Sequence, residues 1–344
     1  MQQLTYIEPG RIEPLDAPDA EIQGPGEALV RPLAVATCDI DNMLVRGLWP
    51  GPIPMGHEGV GEVIEVGDGV ASVAVGNRVV IPFQVSCGSC AECRRGLSAY
   101  CTAHPELADR SGVEMKYGMG SGAHNWGGFL SDSVRVPYAD PMLVKLPAGV
   151  DPVAVASASD NIPDGYRTVA EPLAANPGAS VLVVGGGGIA LYAAGIAVAL
   201  GAASVDYVDR DAARLARAEK LGAHPIEGLP ERLPDSYPIT VDASADPAGL
   251  MLAIRSTAVE GVCTSIGIYF QPQEMPLLRM YTKGITFKTG MAHARRDLPE
   301  VLALVGSGRL HPELATGVVA DWDDAPAALA ELSDKTVIRR TADA

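Results

Sequence analysis

Residues 181–202 read VLVVGGGGIALYAAGIAVALGA, an apolar run that passes through four glycines into an apolar helix. Such a turn brings backbone N–H groups and the positive end of a helix dipole to one point, where a pyrophosphate can bind. The same glycines also fit a simple strand-to-helix turn in any α/β protein. The spacing G-x-G-x-x-A predicts a parallel α/β sheet and a dinucleotide site formed by Gly185, Gly187, Gly188, Ile189 and Ala190.

An acid and two arginines follow the next predicted strand, SVDYVD. Asp209 ends this strand and lies 209 − 187 = 22 residues after Gly187, near the spacing expected of a ribose-binding acid. A carboxylate there accepts hydrogen bonds from ribose hydroxyls and repels a 2′-phosphate, which favours NAD over NADP. Arg210, included in the predicted site, and Arg214 could hold a phosphate, so NADP stays the alternative.

The chain has 344 residues, enough for two ordinary domains that each bury a core. Residues 1–152 show short alternating apolar runs broken by Gly, Pro and Asp, as small antiparallel sheets do. Residues 153–290 alternate helical stretches with strands, as a doubly wound parallel sheet requires. Residues 291–344 hold too few elements for a third domain, and we expect them to rejoin the first.

The formal net charge of −16 excludes several classes of partner. Binding to nucleic acid or to an anionic membrane requires a basic face, so neither is expected. The N-terminal sequence MQQLTYIEPGRIEP lacks the basic start and apolar run of a signal peptide. These observations predict a cytoplasmic protein that acts on a small molecule.

Four of the six cysteines lie close together in the segment 86–102. Their spacing, C-x2-C-x2-C-x7-C, lets one loop surround a Zn²⁺ ion tetrahedrally, which leaves no position for a substrate. The alternatives are an iron–sulfur cluster, free thiols and a zinc ribbon that binds nucleic acid. The Gly-Ser-Ala loop disfavours the first two, and the acidic net charge disfavours the third. The ligands of this predicted structural zinc are Cys87, Cys90, Cys93 and Cys101.

A second candidate metal site involves Cys38 and the segment GHEGVGEV, which contains His57 and Glu58. A thiolate and an imidazole are two of the three protein ligands of a catalytic zinc, whose fourth position stays open. By themselves, these residues are more commonly a buried cysteine and a hydrogen-bonded core histidine than metal ligands.

The order of Cys38, the Gly56-His57-Glu58 triplet, the four-cysteine segment and the late glycine motif resembles the zinc-containing medium-chain alcohol dehydrogenase family. The resemblance covers nearly the whole chain. It implies a β-rich GroES-like catalytic domain, a Rossmann domain and an active site in the cleft between them. It also implies two zinc ions per chain and assembly as a homodimer or homotetramer.

The resemblance also assigns residues. Cys38 and His57 match the catalytic zinc ligands, and Glu58 matches the adjacent acid that can enter or support the coordination shell. The segment SASDNIPDGYRTV resembles the S-D-x-x-P-T-G-Y stretch of the formaldehyde dehydrogenase branch, which implies Asp160 as the third ligand. The fallback acids are Asp164 and Glu171.

The chain departs from the family after its first ligand. It reads Cys38-Asp39-Ile40-Asp41-Asn42-Met43, so Ile40 stands where many members have a relay hydroxyl and Met43 stands where many have histidine. The proton could instead leave through Asp39 or Asp41 and water, or through the zinc-bound water and Glu58. The enzyme could also be something other than a conventional alcohol oxidiser. Asp41 also fits a structural role in a turn.

These features predict a zinc-dependent oxidoreductase that transfers hydride between an alcohol, aldehyde or ketone and NAD(H). The alternatives are a polyol or sugar-alcohol dehydrogenase, an aldehyde dismutase that retains its cofactor, and a non-catalytic nucleotide-binding sensor. The residues that could line the substrate pocket, or simply belong to the core, are Trp49, Phe83, Tyr117, Met119 and Trp126. No chemistry is expected of Cys263, a predicted core residue. His124 and His293 could reach the site, but a position on the surface is favoured for both.

Overall fold

The computed structural model describes residues 1–107, 115–332 and 335–341. Its chain forms two compact units, of which the first comprises Met1–Asp160, His293–Gly306 and Thr316–Ala344. The second comprises Asn161–Ala292 and Ser307–Ala315. The segment 307–315, expected in the first domain, groups with the second unit, where its 3-10 turn Pro312–Ala315 packs on two helices. Residues 153–160, expected in the second domain, group with the first unit.

The first unit is built on antiparallel strands. The strands are β1 Gln2–Glu8, β2 Arg11–Asp16, β3 Ala28–Ala36, β4 Ile53–Pro54, β5 Glu58–Val66, β6 Arg78–Ile81, β7 Val134–Val136, β8 Val144–Lys145, and, after the second unit, β15 Val318–Asp321 and β16 Thr336–Arg339. The main sheet has the order β15-β16-β3-β5-β6-β8, with β7 also paired to β3, and a smaller sheet has the order β2-β1-β4. All pairs in this unit except β15 with β16 are antiparallel. The prediction of a β-rich domain is confirmed.

The helices of this unit are short, except for the one at 294–306. They are α1 Asp39–Val45, α2 Ala91–Arg94, α3 Gly120–Trp126, α4 Ala139–Met142, α10 Ala294–Gly306 and α11 Ala325–Ala330. The core contains β-branched residues such as Val30 and Val63, together with Phe129 and Ile338, all fully or almost fully buried. Alternation of apolar and polar residues along the strands therefore supplies the core face of the sheet.

The second unit is a parallel sheet with helical connections. Its strands are β9 Val181–Val184, β10 Val205–Asp209, β11 His224–Glu227, β12 Tyr237–Asp242, β13 Thr257–Ser265 and β14 Thr286–Lys288, in the order β11-β10-β9-β12-β13-β14. Its helices are α5 Asn161–Ala175, α6 Gly188–Ala199, α7 Ala212–Lys220, α8 Pro247–Ser256 and α9 Leu277–Lys283. Because β9 lies between β10 and β12, the strand order reverses there, which is where ligands bind in open α/β sheets. The predicted doubly wound sheet is confirmed.

Two edge strands lack a strand-like sequence. His224–Glu227 has no fully buried residue and lies at one edge of the parallel sheet, and Val318–Asp321 is largely exposed at the edge of the antiparallel sheet. Edge strands bury little surface, so their sequences lack the apolar pattern on which strand prediction depends. Among the described residues, no helix combines the length and the apolarity needed to cross a membrane.

Candidate metal centres and dinucleotide site

Four predicted site residues of the first unit come together at one point. Donor atoms of Cys38, His57, Glu58 and Asp160 all lie within 4.8 Å of one another. Cys38 Sγ is 3.1 Å from His57 Nε2, and the same nitrogen is 3.8 Å from Asp160 Oδ2. One sulfur, one imidazole nitrogen and carboxylate oxygens are the donors that zinc takes in proteins.

A short helix fixes the first two donors. Cys38 follows β3 and is the N-cap of α1, where its Sγ accepts a hydrogen bond from the Ile40 N–H at 3.3 Å. Asp41 is buried, and its Oδ2 accepts the Cys38 N–H at 2.8 Å. The other oxygen of Asp41 lies 3.4 Å from His57 Nδ1. Nδ1 makes no hydrogen bond with the described residues, but the charge of this carboxylate favours a ring orientation in which Nε2 faces the other donors.

Glu58 forms a buried ion pair that the sequence did not indicate. Lys335 Nζ lies 2.8 Å from Glu58 Oε2, and the two side chains are 3% and 0% exposed. Oε1 of Glu58 accepts no hydrogen bond from the described residues. Lys335 reaches this position because it directly precedes β16, which pairs with β3 beside the start of β5. Burial raises the pKa of Glu58, and Lys335 opposes that rise.

The donor set is suited to a divalent cation. Burial is the main cause that raises the pKa of Cys38 to about 12, and the nearby Asp41 carboxylate adds to it. Burial lowers the pKa of His57, but Asp41 and Cys38 outweigh it and hold that pKa above its ordinary value. The Cys38 thiol and the Asp160 carboxylate thus meet beside a Glu58 oxygen that accepts no hydrogen bond from the described residues, a donor set that suits a cation able to displace the thiol proton.

The four-cysteine segment forms a second cluster in the same unit. The Sγ atoms of its cysteines lie within 4.8 Å of one another. Backbone N–H groups point at them: Cys90 N is 3.3 Å from Cys87 Sγ, and Cys87 N is 3.4 Å from Cys101 Sγ. Burial opposes ionisation of Cys90, but the N–H groups of Thr102 and Cys93 lower its pKa to about 6, whereas burial and the neighbouring sulfurs raise the pKa values of Cys93 and Cys101. All six cysteines lie in the described ranges and none is in a disulfide, so this loop can hold a metal through four sulfurs.

The fallback acids lie elsewhere. Asp164 pairs with Arg167 on α5, and Glu171 pairs with Lys288 at 2.7 Å on the second unit. Neither contributes a donor atom to the Cys38 cluster, whereas Asp160 does. The geometry therefore favours Asp160 among the three acids.

A small apolar cluster adjoins the Cys38 site. Phe83 donates its backbone N–H to the Ser159 carbonyl at 3.2 Å, and its ring meets the His57 ring edge-on at 6.2 Å between centroids. The members of the cluster are Phe83, Met119, Ala294, Ile40 and Trp49. Three predicted pocket residues thus lie together beside the candidate metal ligands.

The other aromatic and histidine predictions have different outcomes. Tyr117 is fully buried in the main core and donates its hydroxyl to the Arg135 carbonyl, and Trp126 packs against the same core. His124 is exposed on α3, as expected. His293 is buried rather than on the surface, and its Nδ1 accepts the Ala99 N–H at 3.3 Å. Cys263 lies in the core of the second unit, as predicted.

The glycine motif forms the turn between β9 and α6. An added Cβ at Gly185 would lie 2.6 Å from the Tyr207 hydroxyl and 2.9 Å from Asp209 Oδ2. Gly186, not singled out by the motif, is equally tight because its Cβ would lie 2.4 Å from the Ala243 carbonyl oxygen. Gly187 caps α6 without a side-chain hydrogen bond, and Ala190 is fully buried. The first-turn N–H groups of a 12-residue helix are thus available to a phosphate.

Asp209 ends β10, where the spacing placed it, but it is not a free acid. Arg214 donates to both of its oxygens, from Nε at 2.7 Å and from Nη2 at 2.9 Å. Tyr207 donates its hydroxyl at 3.0 Å and the Asp211 N–H donates at 2.9 Å. Burial raises the pKa of Asp209, but these hydrogen bonds, above all those from Arg214, hold it below its usual range.

A cavity of about 140 Å³ opens beside this acid in the second unit. Arg210 Nη1 lies 3.1 Å from Asp246 Oδ2 on the wall of the cavity. The lining residues are Gly185, Gly186, Val208, Asp209, Arg210, Arg214, Gly228, Leu229, Ser244 and Asp246. The cavity therefore joins the glycine turn to the acid and to both arginines.

Comparison with known proteins agrees with this geometry. Residues 24–148 match the family model for the alcohol dehydrogenase GroES-like domain, and residues 188–307 match that for zinc-binding dehydrogenase. A Mycobacterium tuberculosis protein named "Probable zinc-binding alcohol dehydrogenase" is 30% identical over 310 residues, which cover 88% of this chain and 77% of that protein. The chain belongs to the zinc-type alcohol dehydrogenase family. It is accordingly a zinc-dependent oxidoreductase of the medium-chain dehydrogenase class.

Two other similarities place the chain within this family. A glutathione-independent formaldehyde dehydrogenase of Pseudomonas aeruginosa is 34% identical over 232 residues, 64% of this chain and 56% of that enzyme. The solved alcohol dehydrogenase TADH from Thermus sp. ATN1 is 29% identical with a TM-score of 0.88, and the match covers 99% of this chain and all of that one. The alcohol dehydrogenase fold thus extends over nearly the full chain.

Proposed function

We propose that this family member oxidises alcohols, or reduces aldehydes or ketones, with NAD(H) at a catalytic zinc held by Cys38, His57 and Asp160. The observation that carries the proposal is the convergence of these three donors, with Glu58, within 4.8 Å. The four-cysteine segment is proposed to hold a second, structural zinc, which makes two zinc ions per chain.

Zinc at the catalytic position would lower the pKa of an alcohol hydroxyl or polarise a carbonyl, and NAD would take or supply the hydride. The protein's own residues prepare the position. Asp41 orients the His57 ring, and Lys335 holds one oxygen of Glu58. Cys38 and Asp160 supply negative charge that retains the cation.

The path of the substrate proton differs from the usual relay. Ile40 belongs to the apolar cluster, and Asp41 is engaged by the Cys38 N–H and His57. A carboxylate oxygen of Glu58 lies in the donor cluster, and Oε1 of Glu58 accepts no hydrogen bond from described residues. We therefore favour Glu58 as the first proton acceptor over Asp41, with Asp39 as the remaining alternative.

The second unit is proposed to bind the dinucleotide, with the pyrophosphate at the turn 185–190. The position of Asp209 at the end of β10 supports NAD as the preferred cofactor and NADP as the weaker one. Asp246 pairs with Arg210 at 3.1 Å and offsets part of its charge, which also limits attraction of a further phosphate.

The apolar cluster beside the metal ligands favours alcohols and aldehydes with apolar substituents over polyols and sugar alcohols, whose hydroxyls would lose hydrogen bonds there. A cofactor-retaining aldehyde dismutase is the second candidate. The 34% identity to a formaldehyde dehydrogenase, together with Asp160 in the donor cluster, supports it.

A substrate panel tests the proposal. Zinc-loaded protein would be mixed with NAD and aliphatic alcohols, aromatic alcohols or polyols, and with aldehydes in the absence of added cofactor, while the nicotinamide absorbance is followed. Turnover of apolar alcohols supports the leading proposal. If an aldehyde without added cofactor yields both the acid and the alcohol, the result supports the dismutase. Normal NAD binding with every substrate inert would instead indicate a nucleotide sensor.

Assembly as a homodimer or homotetramer and a cytoplasmic location stay predictions. Exposed apolar side chains on α9 support self-association, since Leu277, Leu278 and Tyr281 are each at least two-thirds exposed. The adjacent β14 is an edge strand of the parallel sheet, and light scattering of the purified protein would give the oligomeric state.

A further inference from the structure

We infer that Asp242 is a positioning residue of the dinucleotide site, and that it acts by holding together two loops on which the nicotinamide half of the dinucleotide depends. The inference rests on the proposed function, because it concerns the same cofactor. It predicts that the loss of one hydrogen bond to Asp242 weakens the binding of NADH and leaves the binding of ADP unchanged.

The position of Asp242 in the parallel sheet connects it with the cofactor. Asp242 ends β12, which pairs with β9 at the point where the strand order reverses. A dinucleotide binds across the carboxyl ends of the strands at such a point, with one nucleotide on each half of the sheet. Because the ribose-binding acid is expected at the end of β10, the half that contains β12 and β13 would receive the nicotinamide nucleotide.

Asp242 is a fully buried carboxylate that neutral groups hold in place. Its Oδ1 accepts the Ser244 N–H at 3.1 Å and the Ser244 hydroxyl at 2.6 Å. Its Oδ2 accepts the hydroxyls of Ser265 at 2.7 Å and Tyr269 at 2.9 Å. These hydrogen bonds use the roughly four lone-pair sites of a carboxylate. One oxygen therefore holds the loop after β12, and the other holds the end of β13 and the loop that follows it.

The two loops approach each other closely, and one of them has a strained backbone. Ala245 has a φ of 50°, in the left-handed region that is unfavourable for a residue with a side chain. A Cβ at Gly267 would lie 2.9 Å from the Ala245 nitrogen and 3.0 Å from the Tyr269 ring. The Tyr269 hydroxyl also lies 3.2 Å from the Asp246 carbonyl oxygen. Since a strained turn persists only where its surroundings hold it, the hydrogen bonds to Asp242 maintain this arrangement.

The loop after β12 also adjoins the glycine turn. A Cβ at Gly186 would lie 2.4 Å from the Ala243 carbonyl oxygen and 3.0 Å from Ser244 Cα. Ser244 and Asp246 line the same cavity of about 140 Å³ as Gly185 and Gly186. A displacement of this loop would therefore change the wall of the proposed dinucleotide site.

Two tyrosine variants form a matched pair for the test. Y269F removes the hydroxyl that binds Asp242, and Y237F removes the hydroxyl that donates to Asp206 at the other end of β12. Each variant loses one tyrosine–aspartate hydrogen bond of the second unit, so both should lower the thermal stability to a similar degree. Only Y269F should weaken NADH binding, by about 3- to 10-fold, which is part of what a hydrogen bond to a charged group contributes.

Isothermal titration calorimetry would give the dissociation constants of NADH and of ADP, which lacks the nicotinamide nucleotide. The affinity for ADP should stay within about twofold of the wild type in both variants. D242N, which replaces one acceptor oxygen by an amide donor, should weaken NADH binding more than Y269F does and should also leave ADP binding unchanged. Y269F decides the test if D242N does not fold, since Tyr269 is only half-buried.

The outcomes separate the inference from the function. A loss of NADH affinity in Y269F that is no larger than the loss in Y237F overturns the role of Asp242. Equal losses of NADH and ADP affinity in Y269F also overturn it, because the effect would then extend beyond the nicotinamide half. Wild-type protein that binds neither NADH nor ADP contradicts the proposed function itself, whatever the variants do.

Discussion

Replacement of Lys335 by methionine tests the buried pair that supports the candidate catalytic site. The variant keeps the length of the side chain but leaves Glu58, which is 0% exposed, as a carboxylate without its cation. Removal of one partner of a buried ion pair costs about 3–5 kcal/mol, because the remaining charge stays desolvated. We expect K335M to lower the free energy of unfolding of the zinc-free first unit by this amount.

Urea unfolding followed by tryptophan fluorescence measures this loss. Trp49, Trp126 and Trp322 are the three tryptophans of the chain, and all belong to the first unit. The double variant E58Q/K335M is the control, since it removes both charges and should recover most of the loss. A single variant within about 0.5 kcal/mol of the wild type would refute the reasoning.

The pH dependence gives a second readout on the same variants. Burial raises the folded-state pKa of Glu58, and loss of Lys335 removes the main influence that opposes the rise. Because a protonated Glu58 is neutral, the deficit of K335M should be full well above that pKa and shrink as the pH falls through it. Added zinc should also reduce the deficit, since a divalent cation pairs with the carboxylate. A deficit that grew on acidification would contradict this assignment.

Three further predictions concern the metal sites. D160N should lower the zinc content of dialysed protein from two ions per chain toward one. The control variant D164N should keep both ions, because the Asp164 carboxylate pairs with Arg167 on α5. Equal loss of zinc in the two variants would count against Asp160 as a ligand. C93S should remove the other ion and make the segment 86–102 sensitive to proteases while dinucleotide affinity stays unchanged, and an intact segment would argue against a structural zinc. Because the pKa of Cys38 is raised to about 12, a metal ion that binds this thiol must displace its proton. The zinc affinity, measured in competition with a chelator, should therefore fall about tenfold per pH unit on acidification for each proton displaced. An affinity that does not depend on pH would show that the thiol is not a ligand.

Features that are local in the chain could be predicted from the sequence. The cysteine spacing and the glycine turn each occupy a short segment, so their residue types and spacing determine what they can form. The two-domain architecture followed from the change of periodicity near residue 153. The roles assigned to these residues in metal and nucleotide binding stay predictions, although the geometry brings the proposed groups together.

Features that depend on long-range pairing could not be predicted. Lys335 meets Glu58 only because β16 pairs with β3, about 300 positions away in the chain. The sequence identified Asp41 as a turn residue, but its second contact, to His57, required the position of another strand. Asp209 was placed correctly on β10, yet its saturation by Arg214 and Tyr207 depends on side-chain conformations.

The most direct test of the central claim is the anomalous scattering at the zinc absorption edge from crystals of fully zinc-loaded protein with bound NAD. The account predicts two zinc peaks per chain. One should lie among the four sulfurs of the 86–102 segment, and the other among Cys38 Sγ, His57 Nε2 and an oxygen of Asp160. A single peak at the cysteine segment, with the Cys38 cluster empty, would contradict the proposed chemistry and leave only nucleotide binding.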